Sequence, residues 1–430
     1  MSGIPLNDAR RFRRAQWRML LATMFCYLFY YTGRQTFGFA IPGMSDELGI
    51  SKKQLGWASA VLFWCYAVGQ AVNGNLGDKF GGRKLVSLGA LISCVLNWVV
   101  SFGQSLMGLL IPWGVNGLAQ SMGWAPGSGI ISNWWDHRER GKAYGLYVFA
   151  AGMSSVLAFT TSLIVLKVLH LDWRWIFRLP VLLLLLGGIT FYLVVRNKPE
   201  DLGFTGGPEE DDEDDGGGDG EETTAPASVG TTESSIDRYL AVLKNGRFLI
   251  ASLAIGFQNF ARYGLIIWVP VYFLGKDWKK ADDTAWISIA LAVGMAIGAV
   301  TNGWLSDKVF KSRRGPLISG FMFLAALCTG AMYFISKDNT VPAIVFLFLS
   351  GFFVYGPQSG FWALCPDIFG PKRAATATGV MNFVAYGFAG LEGIVIGAAI
   401  DRNGGDSIVV FPIVAASCVI CGVIGLFIRK

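Results

Sequence analysis

The chain has 430 residues, of which 53% are hydrophobic, 14% aromatic and only 15% charged. A soluble core cannot hide that much apolar surface, and apolar runs of roughly 20 residues, the length that crosses a bilayer as a helix, recur from end to end. The composition therefore indicates an all-α, multi-pass membrane protein and leaves no room for a soluble enzyme domain.

Twelve apolar spans follow one another along the chain, and the first begins directly after the basic stretch RRFRRAQWR. We expect an amino-terminal six-helix bundle over residues 1–198, a linker over 199–245 and a second six-helix bundle over 246–430. The predicted spans are 17–42, 54–77, 85–104, 106–131, 141–166, 173–195, 247–274, 284–305, 316–336, 341–366, 373–400 and 408–428.

Lysine and arginine are distributed unevenly between the two sides of the predicted bundle. The tails and short connections on the side of the termini hold 19 of them, whereas the opposite loops hold 9. Because basic residues accumulate on the cytoplasmic side of membrane proteins, we expect both termini to be cytoplasmic. We place the chain in a bacterial inner membrane.

The predicted linker is strongly acidic. Residues 209–222 contain 10 aspartates and glutamates and no basic residue. Such a segment buries too little apolar surface to fold, so we predict a solvated, disordered linker. Binding of a metal or a partner by the acidic run is the less favoured alternative.

The two halves of the chain repeat each other. Arg34 and Arg262 are separated by 228 residues, and a proline follows each of them eight residues later, at Pro42 and Pro270. A repeat of this length predicts that the first and seventh spans are equivalent elements of a duplicated six-helix unit.

Both arginines lie deep in their predicted spans, about 14 residues or about 21 Å from the apolar start. A charge at that depth costs at least about 2.5–3.5 kcal/mol, so it normally faces a cavity and marks a transport path. Two guanidinium groups can hold a phosphate from opposite sides. The alternative is that each pairs with an acid, but Glu392 is the one acid deep in a predicted span, and it cannot neutralise both.

The segment GNLGDKFGGRK at 74–84 resembles the signature loop of the major facilitator superfamily. In that superfamily the loop latches the cytoplasmic side, and the resemblance assigns gating to Asp78 and Arg83 and, in the second copy, to Asp307 and Arg313. The second copy has Phe310 where the motif has glycine. The motif positions matched by the first copy are Gly74, Asp78, Lys79, Gly81, Arg83 and Lys84.

Further segments resemble the organophosphate:phosphate antiporters of this superfamily: YYTGRQTFGFAIP, NGLAQSMGWAPG, NWWDHRERGKA, ARYGLIIWVP and FVYGP. The resemblance implies that Arg34 and Arg262 bind phosphate. Gln70 replaces a lysine and Ala151 replaces a histidine found in members of the family, which leaves the identity of the organic part open. The resemblance also implies aromatic cavity residues at Tyr27, Tyr31, Tyr66, Trp124, Tyr355 and Tyr386.

The sequence thus predicts exchange of an organic phosphate for inorganic phosphate, with Gln70 contacting the organic part and Glu392 orienting an arginine or tuning substrate choice. One alternative is a proton-coupled symporter of an organic anion or phosphonate, with Glu392 as the proton site. Another is a sugar-phosphate sensor, because the family includes a receptor-like member. We expect a monomer in membrane lipid, with no cofactor, metal or nucleic-acid partner and no catalytic site.

Overall fold

The computed structural model describes residues 6–135, 137–204, 235–275, 283–310, 314–336 and 339–428. All regular elements in these ranges are helices. The first half contains α1 (Leu6–Tyr30), α2 (Phe37–Leu48), α3 (Lys52–Phe80), α4 (Gly82–Ser101), α5 (Leu106–Ser121), α6 (Trp124–Trp134), α7 (His137–Leu163), α8 (Trp175–Arg178) and α9 (Pro180–Val194). The second half contains α10 (Ser235–Leu243), α11 (Gly246–Leu274), α12 (Ser288–Lys308), α13 (Arg314–Ala331), α14 (Thr340–Tyr355), α15 (Gln358–Arg402) and α16 (Val410–Gly425).

The helices agree with the twelve predicted spans. Within the described ranges, nine segments are long and apolar enough to cross a membrane. The other three predicted spans coincide with α1 continued by α2, with α3, and with α5 continued by α6. Most of the predicted linker, residues 205–234, lies outside the described residues.

The longest helix, α15, contains the end of one predicted span and the whole of the next. Its 45 residues are helical throughout. Nevertheless, Cys365 Sγ lies 3.9 Å from Met381 Sδ, although 16 residues of straight helix would separate them by about 24 Å. The chain therefore turns back between these residues, and α15 supplies the end of the tenth span and the whole of the eleventh.

The first span is interrupted at its centre. α1 passes into a 3-10 turn at Tyr31–Gly33, and Arg34 leaves the helical conformation with φ −146° before α2 begins. The Gly33 carbonyl, freed by the interruption, accepts hydrogen bonds from Asn97 at 3.1 Å and Asn116 at 2.8 Å. A break inside a membrane requires such replacement partners. The seventh span differs, because α11 is continuous through Arg262.

The two halves pack together through small residues. A methyl group placed at Gly56 of α3 would lie 2.0 Å from the Gly393 carbonyl oxygen of α15, and one placed at Gly38 of α2 would lie 2.3 Å from the Ile267 carbonyl oxygen of α11. Gly152 of α7 approaches α12 in the same way. Glycine permits such close backbone contact between membrane helices.

One group of polar contacts between the halves lies at one end of the bundle, which we call the loop side and define by residues 49–51 and 403–406. The Asp401 carboxylate accepts hydrogen bonds from the backbone N–H groups of Lys52 at 3.1 Å and Lys53 at 2.8 Å. Lys52 Nζ also donates to the Gly405 carbonyl at 3.2 Å. Together with the glycine contacts, these bonds close the bundle on the loop side.

Candidate substrate site

Arg34 is held at the centre of the bundle by the interruption of the first span. Its side chain is 5% exposed. The guanidinium carbon lies 4.4 Å from the ring centre of Tyr31 and 4.7 Å from that of Tyr66 on α3. The Tyr31 backbone N–H donates to Ser154 Oγ of α7 at 3.0 Å, which fixes the turn that carries the arginine.

Arg262 has a similar environment in the second half. Its side chain is 3% exposed, and the guanidinium carbon lies 4.2 Å from the ring centre of Tyr355 on α14 and 4.7 Å from that of Tyr263. Each arginine therefore contacts one tyrosine on its own helical segment and one on a neighbouring helix. Such cation–π contacts partly replace lost hydration.

Tyrosines connect the two arginines across the interface between the halves. Tyr31, which packs against Arg34, also lies within hydrogen-bonding reach of Arg262. The Tyr263 hydroxyl donates a hydrogen bond to the Tyr386 hydroxyl of α15 at 3.3 Å, and the Tyr386 ring lies 4.5 Å from that of Tyr66. The structure thus brings the predicted residues Arg34, Arg262, Tyr31, Tyr66, Tyr355 and Tyr386 into one cluster.

A second aromatic group extends the cluster within the first half. The Tyr27 ring lies 5.9 Å from Tyr31 and 5.3 Å from Trp124. Trp124 in turn stacks on Tyr147, with ring centres 4.7 Å apart and planes inclined by 9°. Tyr27 and Trp124 therefore belong to the same aromatic wall as Tyr31, one helical turn further from the loop side.

The guanidinium groups retain donors that no group in the described part of the chain uses. Nε and Nη1 of Arg34 and Nε of Arg262 are buried without a hydrogen-bond partner in the described part of the chain. Neither arginine forms an ion pair there. A buried, unpaired guanidinium is costly, so this arrangement favours an anion that supplies the missing acceptors.

Glu392 lies buried beside Trp268 of α11. Its buried carboxylate accepts a hydrogen bond from Trp268 Nε1 at 3.0 Å through Oε2, and Oε1 has no partner among the described residues. The same carboxylate lies beside Gly264 of α11, close to Val414 of α16. Glu392 therefore packs between helices of the second half and pairs with no arginine that the structure describes.

The two positions that depart from the family pattern lie in the first half. Gln70 is partly exposed, and its Nε2 donates to the Ser121 carbonyl at 3.5 Å. Ala151 is buried on α7, one turn before Ser154.

The predicted gating residues are described only in part. Arg83 binds the end of α9, with Nε donating to the Tyr192 carbonyl at 2.7 Å and the guanidinium carbon 4.5 Å from the Tyr192 ring centre. Gly81 adopts φ +84°, which explains the glycine of the motif. The Asp78 and Asp307 side chains and all of Arg313 lie outside the described residues.

Three residues that sequence reasoning did not select take part in this arrangement. Tyr263 contacts Arg262 and Tyr386, and Trp268 binds Glu392. Gln35, next to Arg34, buries both side-chain polar atoms without partners in the described ranges. The adjacency of Tyr263 and Gln35 to the two arginines was an available signal, whereas the Trp268 contact depends on packing.

Comparison with known proteins identifies relatives over almost the whole chain. A family model described as Major Facilitator Superfamily matches residues 23–394. The glycerol-3-phosphate transporter of Bacillus subtilis is 26% identical, with 96% of this chain and 93% of the relative covered. A probable hexose phosphate transport protein of Chlamydia pneumoniae is 27% identical, with 90% and 86% covered. The membrane sensor protein UhpC of Escherichia coli is 24% identical, with 91% and 87% covered.

Solved structures show the same fold. A bacterial homolog of the human lysosomal transporter Spinster, in an inward-facing and unoccupied conformation, aligns with a TM-score of 0.70. The alignment covers 96% of this chain and 95% of the other at 16% sequence identity. This likeness confirms the arrangement of the helices predicted from the sequence.

Proposed function

The chain belongs to the major facilitator superfamily and is a membrane transport protein rather than an enzyme, and from this premise we propose that it exchanges an organic phosphate for inorganic phosphate. The observation that carries the proposal is the pair of buried arginines with unused donors. Relatives named as glycerol-3-phosphate and hexose phosphate transporters support an organic phosphate as substrate.

Phosphate fits the chemistry of the pair. Arg34 and Arg262 come from opposite halves, and each guanidinium offers planar donors that match phosphate oxygens. In the proposed complex the two groups bind one phosphate dianion between them. Tyr31 lies against both arginines and orients them, while the remaining tyrosines and Trp124 contact the organic part.

Exchange follows from the charge of the empty site. Two unpaired guanidinium groups in a low-dielectric interior repel one another and resist transfer through a closed intermediate. A bound dianion neutralises them and lowers that barrier. The halves therefore reorient readily when phosphate or an organic phosphate is bound and slowly when the site is empty, which couples efflux of one substrate to uptake of the other.

Proteoliposomes containing the purified chain test the exchange. We expect uptake of labelled phosphate when the interior holds phosphate or glycerol 3-phosphate, and little uptake when the interior holds neither. Uptake that is undiminished without an internal substrate would contradict exchange. Competition by a panel of phosphate esters and phosphonates then identifies the preferred organic part.

The arginine pair is tested with Arg34→Lys and Arg262→Lys. Lysine keeps the charge but loses the bidentate fork, and because a hydrogen bond to a charged group contributes roughly 1.5–3 kcal/mol, we expect phosphate affinity to fall about 10- to 100-fold. Arg178→Lys is the matched control, since Arg178 also packs among aromatic rings but binds Ser101 away from the site. Equal losses in all three variants would refute a phosphate site at the pair.

A sensor is the second candidate, and the relative named membrane sensor protein UhpC supports it. A sensor needs the ligand site but no turnover. Ligand-dependent stabilisation of the purified protein, together with undetectable exchange in proteoliposomes, is the result expected of a sensor. Measurable exchange is the result expected of a transporter.

A further inference from the structure

A groove of 860 Å³ runs down the outer surface of the first half, between α1 and α9. None of the residues that line it surrounds Arg34 or Arg262, so the groove is separate from the arginine pair at the centre. Arginines line the end of the groove near the start of α1, which we call the upper part (Arg10 to Arg18). Apolar side chains line the other end, which we call the lower part (Leu21 to Phe25). The residues concerned are Arg10, Arg13, Arg14, Trp17, Arg18, Leu21, Ala22, Phe25, Thr190 and Val194.

The upper part concentrates positive charge that the described part of the protein does not neutralise. Arg10, Arg14 and Arg18 are exposed and follow one another at four-residue spacing, which stacks like charges on one face of α1. Arg13 forms an ion pair with Glu139. In the described ranges Arg10 and Arg14 have no ion pair, and Arg18 donates a hydrogen bond of 3.4 Å to the Val194 carbonyl.

The lower part is suited to hydrocarbon. Leu21 is 56% exposed and Phe25 is 39% exposed on the same side of α1. The distance from Arg10 to Phe25 along the helix is about 22 Å, which matches the length of a phospholipid from its headgroup well into its acyl chains. Trp17 lies between the two parts, at the level where tryptophan commonly meets lipid headgroups.

We propose that this groove binds a membrane phospholipid with an anionic headgroup. The headgroup phosphate lies among Arg10, Arg14 and Arg18, and an acyl chain lies along Leu21 and Phe25. A basic recess between transmembrane helices with an apolar continuation has the charge and shape that such a lipid requires. Binding joins α1 to the end of α9 and thereby stabilises the first half.

Two other anions fit less well. Free phosphate would use the arginines but leave the apolar part of the groove empty. The acidic run at 209–222 carries charge of the right sign, but it consists of Asp, Glu and Gly and has no apolar side chain to cover Leu21 and Phe25. Of these three ligands, the phospholipid alone offers both an anionic group for the arginines and an apolar chain for Leu21 and Phe25.

The test measures binding of phosphatidylglycerol and phosphatidylcholine to the delipidated full chain in detergent, with native mass spectrometry as the readout. We expect tighter binding of phosphatidylglycerol. The variant Arg10→Gln/Arg14→Gln is expected to lose roughly 10- to 30-fold in phosphatidylglycerol affinity, about three- to fivefold for each arginine, with phosphatidylcholine binding unchanged.

The matched control is Arg11→Gln/Lys84→Gln, which removes the same charge outside the groove; Arg11 points toward Phe204 on another face of α1, and Lys84 is exposed on α4. We expect this control to keep the parent's phosphatidylglycerol affinity. Equal losses in both double variants, or equal affinity of the parent for the two lipids, would overturn the proposal.

Two further measurements separate the phospholipid from the other anions. Displacement of phosphatidylglycerol by millimolar inorganic phosphate would show a site for free phosphate. A gain in phosphatidylglycerol affinity after the ten acids of 209–222 are replaced by amides would show that the chain's own acidic run occupies the groove. Either result would overturn the proposal, and neither depends on whether the protein exchanges phosphate.

Discussion

At the scale of single residues, Glu392 offers a test between the exchange and symport mechanisms. Glu392→Gln keeps an oxygen that can accept the Trp268 N–H bond and removes a carboxylate whose Oε1 is buried without a partner in the described ranges. Because Glu392 forms no ion pair with Arg34, Arg262 or any other described arginine, we expect phosphate exchange within about twofold of the parent and unchanged or increased thermal stability.

The measurement is counterflow in proteoliposomes, with and without a pH gradient. Trp268→Phe is the companion variant, since it removes the donor and leaves the acid in place. Counterflow that survives Glu392→Gln while a pH gradient no longer drives uptake would support the proton-coupled alternative. Loss of counterflow itself would contradict the expected near-parental exchange.

The arginine pair could be predicted from the sequence. Each arginine lies well inside an apolar run, and the 228 residues between them match the internal repeat of the chain. The partner of Glu392 could not be predicted. Trp268 is 124 residues away, and which faces of α11 and α15 meet depends on packing against α16. The position of Glu392 deep in its predicted span indicated a buried acid, but it gave no information about the residue that the acid contacts.

At the scale of helices, the close approach of α3 and α15 can be tested with one methyl group. Gly56→Ala would place its Cβ 2.0 Å from the Gly393 carbonyl oxygen, so the backbones must separate. We expect a lower melting temperature and slower exchange, because the loop side closes less well. Gly145→Ala is the control, since a methyl group there meets no atom within 4 Å. Equal effects of the two substitutions would contradict this account.

The ends and order of the helices were predictable from apolar runs, but their interruptions were not. No proline lies at the turn of residues 31–36, and the break persists because Asn97 and Asn116 satisfy the Gly33 carbonyl from two other helices. Such compensation depends on residues more than 60 positions away. The same break places Arg34 outside regular helix, whereas Arg262 remains inside one.

At the scale of the whole molecule, the two-bundle architecture was predictable from the internal repeat, but the conformation was not. A transporter that reorients must make more than one arrangement accessible to the same sequence. The observed one is closed on the loop side by Gly56, Gly393, Gly38 and Asp401. Composition and periodicity do not indicate which conformation is adopted, because the alternative conformations bury similar surfaces.

Asp401 is the residue through which this closure can be tested without altering the substrate site. Its carboxylate accepts two backbone hydrogen bonds at the start of α3, in the other half, where the unpaired N–H groups and the helix dipole favour a negative charge. Asp401→Asn removes the charge and one acceptor oxygen. We expect a two- to fivefold shift of the population toward a conformation open on the loop side.

Spin labels at Asp46→Cys and Asn403→Cys, both exposed on the loop side in different halves, report this opening as a longer distance between labels. Cys65 is replaced by serine in every sample, because it is the one described native cysteine that is not buried.

Asp406→Asn is the matched control, since Asp406 accepts a hydrogen bond from the Ile408 N–H within its own half and its substitution changes the net charge equally. If both substitutions lengthen the distance equally, loop-side charge rather than the Asp401 contact governs closure. If neither does, the Asp401 contact does not govern closure.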